Sequence, residues 1–278
     1  MTVITLTTDF GLTGSYVAQM KGVILGINPE VRLVDITHKL PPQDIRTAAF
    51  VLDTAVDAFP TGTVHLVVVD PGVGTDRDMI AVDCGEHRFV APDNGVLSFV
   101  LDRLPPRNIM RLDESQRRPG AVGTTFDGRD IMGPVAARWS LTDDDQFPGE
   151  PITTPPVTLA APIRISAPDA IIGEVIFIDR YGNAVTSIDR SQLKDITHDR
   201  LVVTVGRTSV IGLKSAYGNV PSGTALALIN SSGRLELAIN QDNAASCLGL
   251  VPGQEVIVSW PDDAFPAADP ESTRDSAG

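Results

Sequence analysis

The sequence has few cysteines, few aromatic residues and too few basic residues to balance its acids. Cys84 and Cys247 are the only cysteines among 278 residues, and their wide separation fits neither a disulfide framework nor a metal-ligand spacing. Aromatic residues make up 5% of the chain, so aliphatic side chains must form the core. The 22 Lys and Arg against 35 Asp and Glu give a formal net charge of −13. This excess argues against nucleic acid or an anionic membrane as the main partner, since both require basic patches.

Long apolar runs are also missing. No run approaches the ~20 residues that a bilayer-spanning helix requires, and the first residues, MTVITLTTDFG, lack the basic region of a signal peptide. We therefore expect a cytoplasmic protein with no membrane partner, with both thiols buried and reduced and no metal bound.

The first half of the sequence alternates between strand and helix patterns. Short apolar runs predict strands, and apolar residues at helical spacing predict helices. The predicted strands are 3–7, 31–36, 63–69, 80–82 and 89–91, and the predicted helices are 15–27, 44–59 and 95–104. The run 63–69 is apolar throughout, which is typical of a strand buried on both faces of a parallel sheet. This alternation predicts an α/β domain with a mostly parallel sheet over residues 1–150.

The second half has a different character. Six prolines between 143 and 168 predict an inter-domain linker at 151–168. Short strand patterns separated by turn residues then predict an all-β, barrel-like domain over 169–260. They lie at 172–179, 200–205, 224–229, 234–239 and 255–260. Five acids and one arginine in 261–278 predict a disordered acidic tail.

Acidic residues follow two of the predicted strands. TTDFG (7–11) places Asp9 at the end of the first strand, and VVVDPGVGTDR (67–77) places Asp70 at the end of another. Ligands of open α/β sheets bind beyond the carboxyl ends of the strands, and a carboxylate can accept from both hydroxyls of a ribose. Arg77 returns toward Asp70 across a tight turn. The alternatives are a helix or turn cap for Asp9 and a loop-stapling salt bridge for Asp70 and Arg77.

Four further segments are less specific by themselves. In APDNGVLS (91–98), Asp93 or Asn94 is either a functional residue or a cap of the next helix. TTFDGRDIMGPVAA (124–137) combines two acids, an arginine and a glycine before a helix, while IDRYGNAVT (178–186) and INQDNAAS (239–246) offer amides and backbone groups. The chain contains no phosphate-binding glycine motif of the GxGxxG or Gly-Lys-Ser/Thr type.

Together these segments resemble the S-adenosylmethionine (SAM) hydroxide adenosyltransferase family, the sister family of the fluorinases and chlorinases. The matching segments are TTDFG, VVDITH (33–38), GTVHLVVVDPGVGT (62–75), APDNG, TFDGRDIMGPVAA, IDRYGN and NAAS. The resemblance implies hydrolysis of SAM to adenosine and methionine without a cofactor. It also implies a homotrimer whose active sites lie between the N-terminal domain of one subunit and the C-terminal domain of its neighbour.

The resemblance assigns roles to individual residues of the first domain. It implies that Asp9 holds the ribose hydroxyls and that Asp70, Arg77 and Asp127 form the catalytic set, which positions and activates a water. The halogenase branch has a tyrosine at the position of Asp70, so at this position the chain resembles the hydrolases. Tyr16 and Asn94 are included among the substrate-binding residues.

The resemblance also implies substrate contacts in the second domain. Asp179 and Asn183 match residues that contact the methionine amine and the adenine, and Tyr217 matches an aromatic residue that stacks on adenine. The remaining implied contacts come from a methionine-binding serine, the backbone at the adenine edge and a tyrosine: Ser231, Asn243, Ala244 and Tyr181.

One position departs from the family pattern. The family's hydrolases read TFHGRD where this chain reads TFDGRD, so Asp127 replaces a histidine. Asp127 either does the same work as a second carboxylate or leaves the chain altered or impaired. Two alternative functions follow: a halide-dependent adenosyltransferase that forms 5′-chloro-5′-deoxyadenosine, and an impaired protein that only binds SAM or adenosine. Carboxylates at 70 and 127 disfavour the first, because they repel a halide.

Overall fold

The computed structural model describes residues 2–142, 148–167, 169–194 and 198–260. The chain divides into two compact units, residues 1–160 and 161–278. The predicted acidic tail at 261–278 lies outside the described residues. Within the described ranges, no helix has the length and apolar character needed to cross a membrane.

Unit 1 is built on a seven-stranded mixed sheet. Its strands are β1 (Val3–Thr8), β2 (Arg32–Thr37), β3 (Thr63–Val68), β4 (Met79–Asp83), β5 (His87–Pro92), β6 (Asn108–Leu112) and β7 (Glu150–Pro151). Its helices are α1 (Tyr16–Ile27), α2 (Ile45–Val56), α3 (Ser98–Arg103) and α4 (Gly133–Trp139), with a 3₁₀ turn at Glu114–Gln116 and a π-helical turn at Gly128–Met132. The strand order is β2-β1-β3-β5-β4-β6-β7.

Strand direction agrees with the predicted, mostly parallel sheet. The pairs β1–β2, β1–β3 and β3–β5 are parallel, whereas β4 pairs antiparallel with both β5 and β6. β6 therefore runs in the same direction as β5, and five of the seven strands share one direction. This confirms an α/β domain.

Strand β3 is buried throughout, including its polar residues Thr63 and His65, because helices cover both faces of the sheet. All six of its residues are buried. Leu66 and Val68 join a core with residues of α1 and α4, while Val67 and the following Val69 join a second core with residues of α2 and α3. The parallel register pairs Thr8 with Val68. The residues after β1 and β3 therefore leave the sheet at the same edge.

Unit 2 is a nine-stranded, barrel-like sheet that is nearly closed. Its strands are β8 (Arg164–Ser166), β9 (Ala170–Ile178), β10 (Ala184–Asp189), β11 (Val202–Val205), β12 (Thr208–Ile211), β13 (Leu213–Lys214), β14 (Ala225–Ile229), β15 (Arg234–Ile239) and β16 (Glu255–Ser259). The order is β12-β11-β16-β9-β10-β15-β14-β13, with β8 on β9. It also contains two short α-helices, α5 (Arg190–Leu193) and α6 (Ala244–Leu248), and 3₁₀ turns at His198–Arg200 and Tyr217–Asn219.

The sequence predicted the barrel-like domain but not all of its parts. The patterns for β9, β11, β14, β15 and β16 are confirmed to within a few residues. β10, β12, β13 and the two short helices were not predicted. β8 and the division of the chain at residue 160 both fall within the segment 151–168 that the sequence predicts as a linker.

Candidate functional site

A cavity of about 210 Å³ opens where β1 and β3 end. Its lining includes the carboxylates of Asp9, Asp70 and Asp127 and the aromatic rings of Phe10 and Phe126. Asp9 and Asp70 meet there because their strands are parallel neighbours. Both acids therefore lie beyond the carboxyl ends of their strands, where ligands of open α/β sheets bind.

Asp9 is held by the backbone of the loop before α2. Its Oδ2 accepts a hydrogen bond of 2.7 Å from the N–H of Gln43, which also lines the cavity. Gln43 has a φ of 65°, in the left-handed region that non-glycine residues seldom occupy. Asp9 is not the cap of α1, since the N-cap residue of that helix is Ser15. The carboxylate therefore belongs to the cavity wall.

Asp70 and Arg77 form a bidentate ion pair across the loop after β3. The Nε of Arg77 donates to both carboxylate oxygens of Asp70, at 3.0 and 2.9 Å, and its Nη2 donates to Oδ2 as well. The side chains are only 5% and 12% exposed. Gly74, at a φ of 78°, closes the turn between them. The ion pair therefore does hold the two ends of the loop together, and Asp70 also lines the cavity.

Asp127 joins this pair from the start of the π-helical turn. Its Oδ2 accepts from Nη2 of Arg77 at 2.7 Å, so one guanidinium bridges two carboxylates. Burial alone lowers the pKa of Arg77, but its hydrogen bonds and ion pairs with Asp70 and Asp127 outweigh burial and raise that pKa above its ordinary value. Arg77 is therefore charged at neutral pH.

Gly128 explains how Asp127 comes so close to Asp70. A Cβ on Gly128 would lie 2.9 Å from the side chain of Val68, so only glycine lets this turn pack directly on the end of β3. One-turn π-helices within α-helices are frequent at functional sites. The turn thereby brings Asp127 to the cavity wall beside Asp9 and Asp70.

Tyr16 and Asn94 support the cavity from outside its lining. Tyr16 is 55% exposed and packs edge-on against Phe126, with ring centroids 5.4 Å apart. The side-chain amide of Asn94 donates to the carbonyl of Val69 at 2.9 Å, which holds the chain just before Asp70. Asn94 does not cap α3, which begins at Ser98. Direct substrate contact by either residue stays a prediction.

Unit 2 has its own cavity, of about 590 Å³. Four of the predicted residues line it, together with three that the sequence did not single out: Asp179, Tyr181, Asn183, Tyr217, Ile239, Gln241 and Asp242. Gln241 has a φ of 61°. Among the described residues, Gln43 and Gln241 are the two non-glycine residues at positive φ, and each lines one of the cavities.

Asp179 shapes the β9–β10 turn beside this cavity. Its Oδ1 accepts from the N–H groups of Tyr181 and Asn183, both at 2.8 Å. Gly182 in the same turn lies against Asn243, whose side chain caps α6 by accepting from the N–H of Ser246 at 2.7 Å. The IDRYGN and NAAS segments are thus packed together.

Substituting Gly182 by alanine is expected to destabilise the protein by about 2–6 kcal/mol. An alanine would be strained at the φ of 86°, and its Cβ would lie 2.2 Å from Asn243. Strain and overpacking each cost about 1–3 kcal/mol. Gly233→Ala is the matched control, because Gly233 has a φ of 76° with no neighbour within 4 Å of its Cβ position. Equal urea midpoints for the two variants would contradict this account.

Tyr217 is anchored by a buried carboxylate. Its hydroxyl donates to Oε1 of Glu236 at 2.7 Å, and the side-chain amide of Asn230 donates to Oε2 at 3.1 Å. Glu236 is only 3% exposed. Burial and the hydrogen bond to Glu236 raise the pKa of Tyr217 above its usual range, so the phenol stays a donor. The ring is thereby fixed at the cavity wall.

The comparisons with known proteins agree with both halves of this architecture. Residues 4–146 match the model of the SAM hydroxide adenosyltransferase N-terminal domain, and residues 173–257 match that of the C-terminal domain. The chain belongs to the SAM hydroxide adenosyltransferase family. These two matches leave out only the ends and the Pro-rich segment between the domains.

Individual relatives support the same family assignment. An (R)-S-adenosyl-L-methionine hydrolase of Thermus thermophilus is 38% identical over 257 residues, covering 89% of this chain and 96% of that protein. A fluorinase of Nocardia brasiliensis is more distant, at 24% identity over 288 residues, covering 92% of this chain and 96% of that protein. A crystal structure of an uncharacterized conserved protein from Thermotoga maritima superposes with a TM-score of 0.84 at 34% identity, covering 93% of this chain and 100% of that chain.

Three of the residues carried over from the family lie outside the lining of the larger cavity. Ser231 is exposed between β14 and β15, Asn243 is occupied as the cap of α6, and Ala244 is fully buried. Their contacts with a ligand stay predictions. Within the described ranges, no cluster of three or more His, Cys, Asp or Glu side chains could hold a metal. The expectation that both thiols are buried is wrong, because Cys84 is partly exposed and Cys247, on the short helix α6, is exposed.

Sequence reasoning missed four residues that shape the two cavities. Gln43 holds Asp9, Glu236 holds Tyr217, and Phe126 and Gln241 line the cavities. Of these, Glu236 left a detectable signal, because it is a lone acid in the apolar run LELAI of β15. The others depend on backbone conformation or on distant neighbours.

Proposed function

We propose that this chain hydrolyses SAM to adenosine and L-methionine, by in-line attack of water on the 5′ carbon of the ribose. The observation that carries the proposal is the bridge of Asp70, Arg77 and Asp127 at a cavity whose wall also contains Asp9. The relative from Thermus thermophilus is named an (R)-SAM hydrolase, and we extend the proposal to the (R) epimer of the sulfonium. The reaction requires no cofactor.

The chemistry needs a positioned water more than an acid. The sulfonium leaves as a neutral thioether, so no proton has to be supplied to methionine. Asp70 accepts a proton from the water as its oxygen bonds to the 5′ carbon and the carbon–sulfur bond breaks. Arg77 contacts both carboxylates without lining the cavity. It therefore orients Asp70 while the cavity wall stays negative.

Charge at the cavity supports the cationic substrate. A sulfonium beside the Asp9, Asp70 and Asp127 carboxylates is stabilised by them, and a halide in the same place is repelled. In this scheme Asp9 accepts from the ribose hydroxyls, and Phe10 and Phe126 exclude bulk water from the reacting carbon. The halide-dependent alternative therefore has no supporting observation at this site.

The cavity between the ends of β1 and β3 is small, which supports a binding site that further residues complete. The 210 Å³ cavity falls below the range of about 300–1,000 Å³ typical of small-molecule sites. We propose a cytoplasmic homotrimer in which active sites lie at subunit interfaces and the second-domain residues around Tyr217 bind adenine and methionine. Light scattering of the purified protein, with and without adenosine, measures the oligomeric state.

The decisive experiment is product analysis in ¹⁸O-labelled water. The purified protein is incubated separately with each SAM epimer, with and without chloride, and the products are resolved by chromatography and mass spectrometry. We expect adenosine labelled at the 5′ oxygen, unlabelled methionine and faster turnover of the (R) epimer. Chlorodeoxyadenosine would support the halide alternative, and unchanged SAM with measurable adenosine binding would support the impaired binding protein.

A further inference from the structure

A second arginine contacts the Asp70–Arg77–Asp127 bridge. Nη2 of Arg117 donates to Oδ1 of Asp127 at 3.1 Å, while Oδ2 of the same carboxylate accepts from Arg77. Arg117 is 15% exposed and Asp127 is 5% exposed. Both oxygens of Asp127 therefore have a guanidinium partner, and the four charges alternate in sign from Asp70 to Arg117.

The position of Arg117 is itself fixed. It follows the 3₁₀ turn Glu114–Gln116, and its Nη2 donates to Oε1 of Glu114 at 2.8 Å. The next residue, Arg118, contacts the other acid of the TFDGRD segment, with Nε donating to Oδ1 of Asp130 at 2.6 Å. Adjacent arginines thus hold the two carboxylates on either side of Gly128 and Arg129.

Charge balance shows what Arg117 contributes. Asp70 and Asp127 are both nearly buried and share the single charge of Arg77. Without Arg117, two carboxylates would compete for one guanidinium, and Oδ1 of Asp127 would lose its partner in a site with little water. Removing one partner of a buried ion pair is costly because the remaining charge is left uncompensated.

We propose that Arg117 is a positioning residue for the hydrolysis: it holds the Asp127 carboxylate in the orientation in which Arg77 bridges it to Asp70. The inference rests on the proposed function and deepens it. It also accounts for an acid at position 127, because Arg117 gives the buried second carboxylate of this bridge a positive partner, although Arg117 shares its charge with the exposed Glu114.

The test is a double-mutant cycle with a pH profile. Arg117→Ala and Arg117→Lys are made in the wild-type background and in an Asp127→Asn background, and kcat and KM for SAM are measured from pH 5 to 9. We expect Arg117→Ala to lower kcat by about tenfold or more with little change in KM. Loss of the neighbouring positive charge favours protonated carboxylates, so the acidic limb of the rate profile should move to higher pH. Arg117→Lys should restore part of the rate.

Asp127→Asn provides the internal check. With Asp127 already neutral, Arg117→Ala should have almost no further effect on kcat. Arg111→Ala is the surface control, since Arg111 forms an exposed ion pair with Asp78, and thermal melts establish that each variant is folded. Wild-type rate and pH profile in Arg117→Ala, or the same loss in both backgrounds, would overturn the inference. An inactive wild-type protein would instead refute the proposed function, and the inference with it.

Discussion

Replacing Asp70 with asparagine is expected to lower kcat for SAM hydrolysis at least about 100-fold, the usual contribution of a positioned general base. Asparagine keeps the shape of the side chain but cannot take a proton from the water. It also loses the charge that pairs with Arg77. Because Asp70 is proposed to act on the water and not on the nucleoside, the dissociation constant of adenosine should change much less.

The matched control is Asp76→Asn, which removes an exposed carboxylate from the same loop. Single-turnover measurements of adenosine release compare the two variants, and calorimetry gives their affinities for adenosine. Full turnover by Asp70→Asn would show that the base is another group. A loss of equal size in Asp76→Asn would attribute the effect to the loop and not to the carboxylate.

Replacing Asp130 with alanine is expected to destabilise unit 1 by about 3–5 kcal/mol, the cost of breaking a buried ion pair. The Asp130 side chain is fully buried and is held by Arg118 at 2.6 Å and by Arg129 at 2.8 and 2.7 Å. Without it, two guanidinium groups lose their counterion beside the catalytic bridge. Asp78→Ala, which removes an exposed partner of Arg111, should cost no more than about 1 kcal/mol. Urea unfolding monitored by circular dichroism measures both.

The effect of Asp130 depends on pH in a defined direction. Burial by itself raises the pKa of Asp130, but the hydrogen bonds from Arg129 and Arg118 outweigh it and lower that pKa below the ordinary value of 3.8. The folded protein therefore binds this proton more weakly than the unfolded chain does. The stabilisation is complete at a pH above the ordinary pKa of 3.8. It is lost as the pH falls through the lower pKa that Asp130 has in the folded protein. The difference in stability between wild type and Asp130→Asn should accordingly shrink as the pH falls below 3.8, and a constant difference would contradict this.

The sequence predicted the structure best where a local hydrophobic pattern and the topology of the sheet concern the same residues. The continuous apolar run of β3 predicted a strand covered on both faces, and the parallel arrangement then placed Asp9 and Asp70 at one edge. β12 and β13 were not predicted because they are four and two residues long and only Gly212 separates them. Runs so short do not establish a hydrophobic period.

The partners of the site residues could not be predicted from local pattern. Arg117 lies ten positions before Asp127 in a segment without periodicity, and Glu236 meets Tyr217 across nineteen positions. Such contacts depend on how loops return to the sheet. The family resemblance located Asp127, but it gave no reason for an acid there. That reason lies in a neighbouring guanidinium from a distant turn.

The two left-handed glutamines bear on how such an enzyme could be made more heat-tolerant. Glycine at positions 43 and 241 would relieve about 1–2 kcal/mol of backbone strain at each, yet the chain has glutamine at the rim of each cavity. Gln43→Gly would keep the backbone N–H that holds Asp9. It would also raise the conformational entropy of the unfolded chain, so the net gain in stability at each position should be smaller than the strain that is relieved. At position 43, backbone strain can therefore be removed without removing the contact that fixes Asp9.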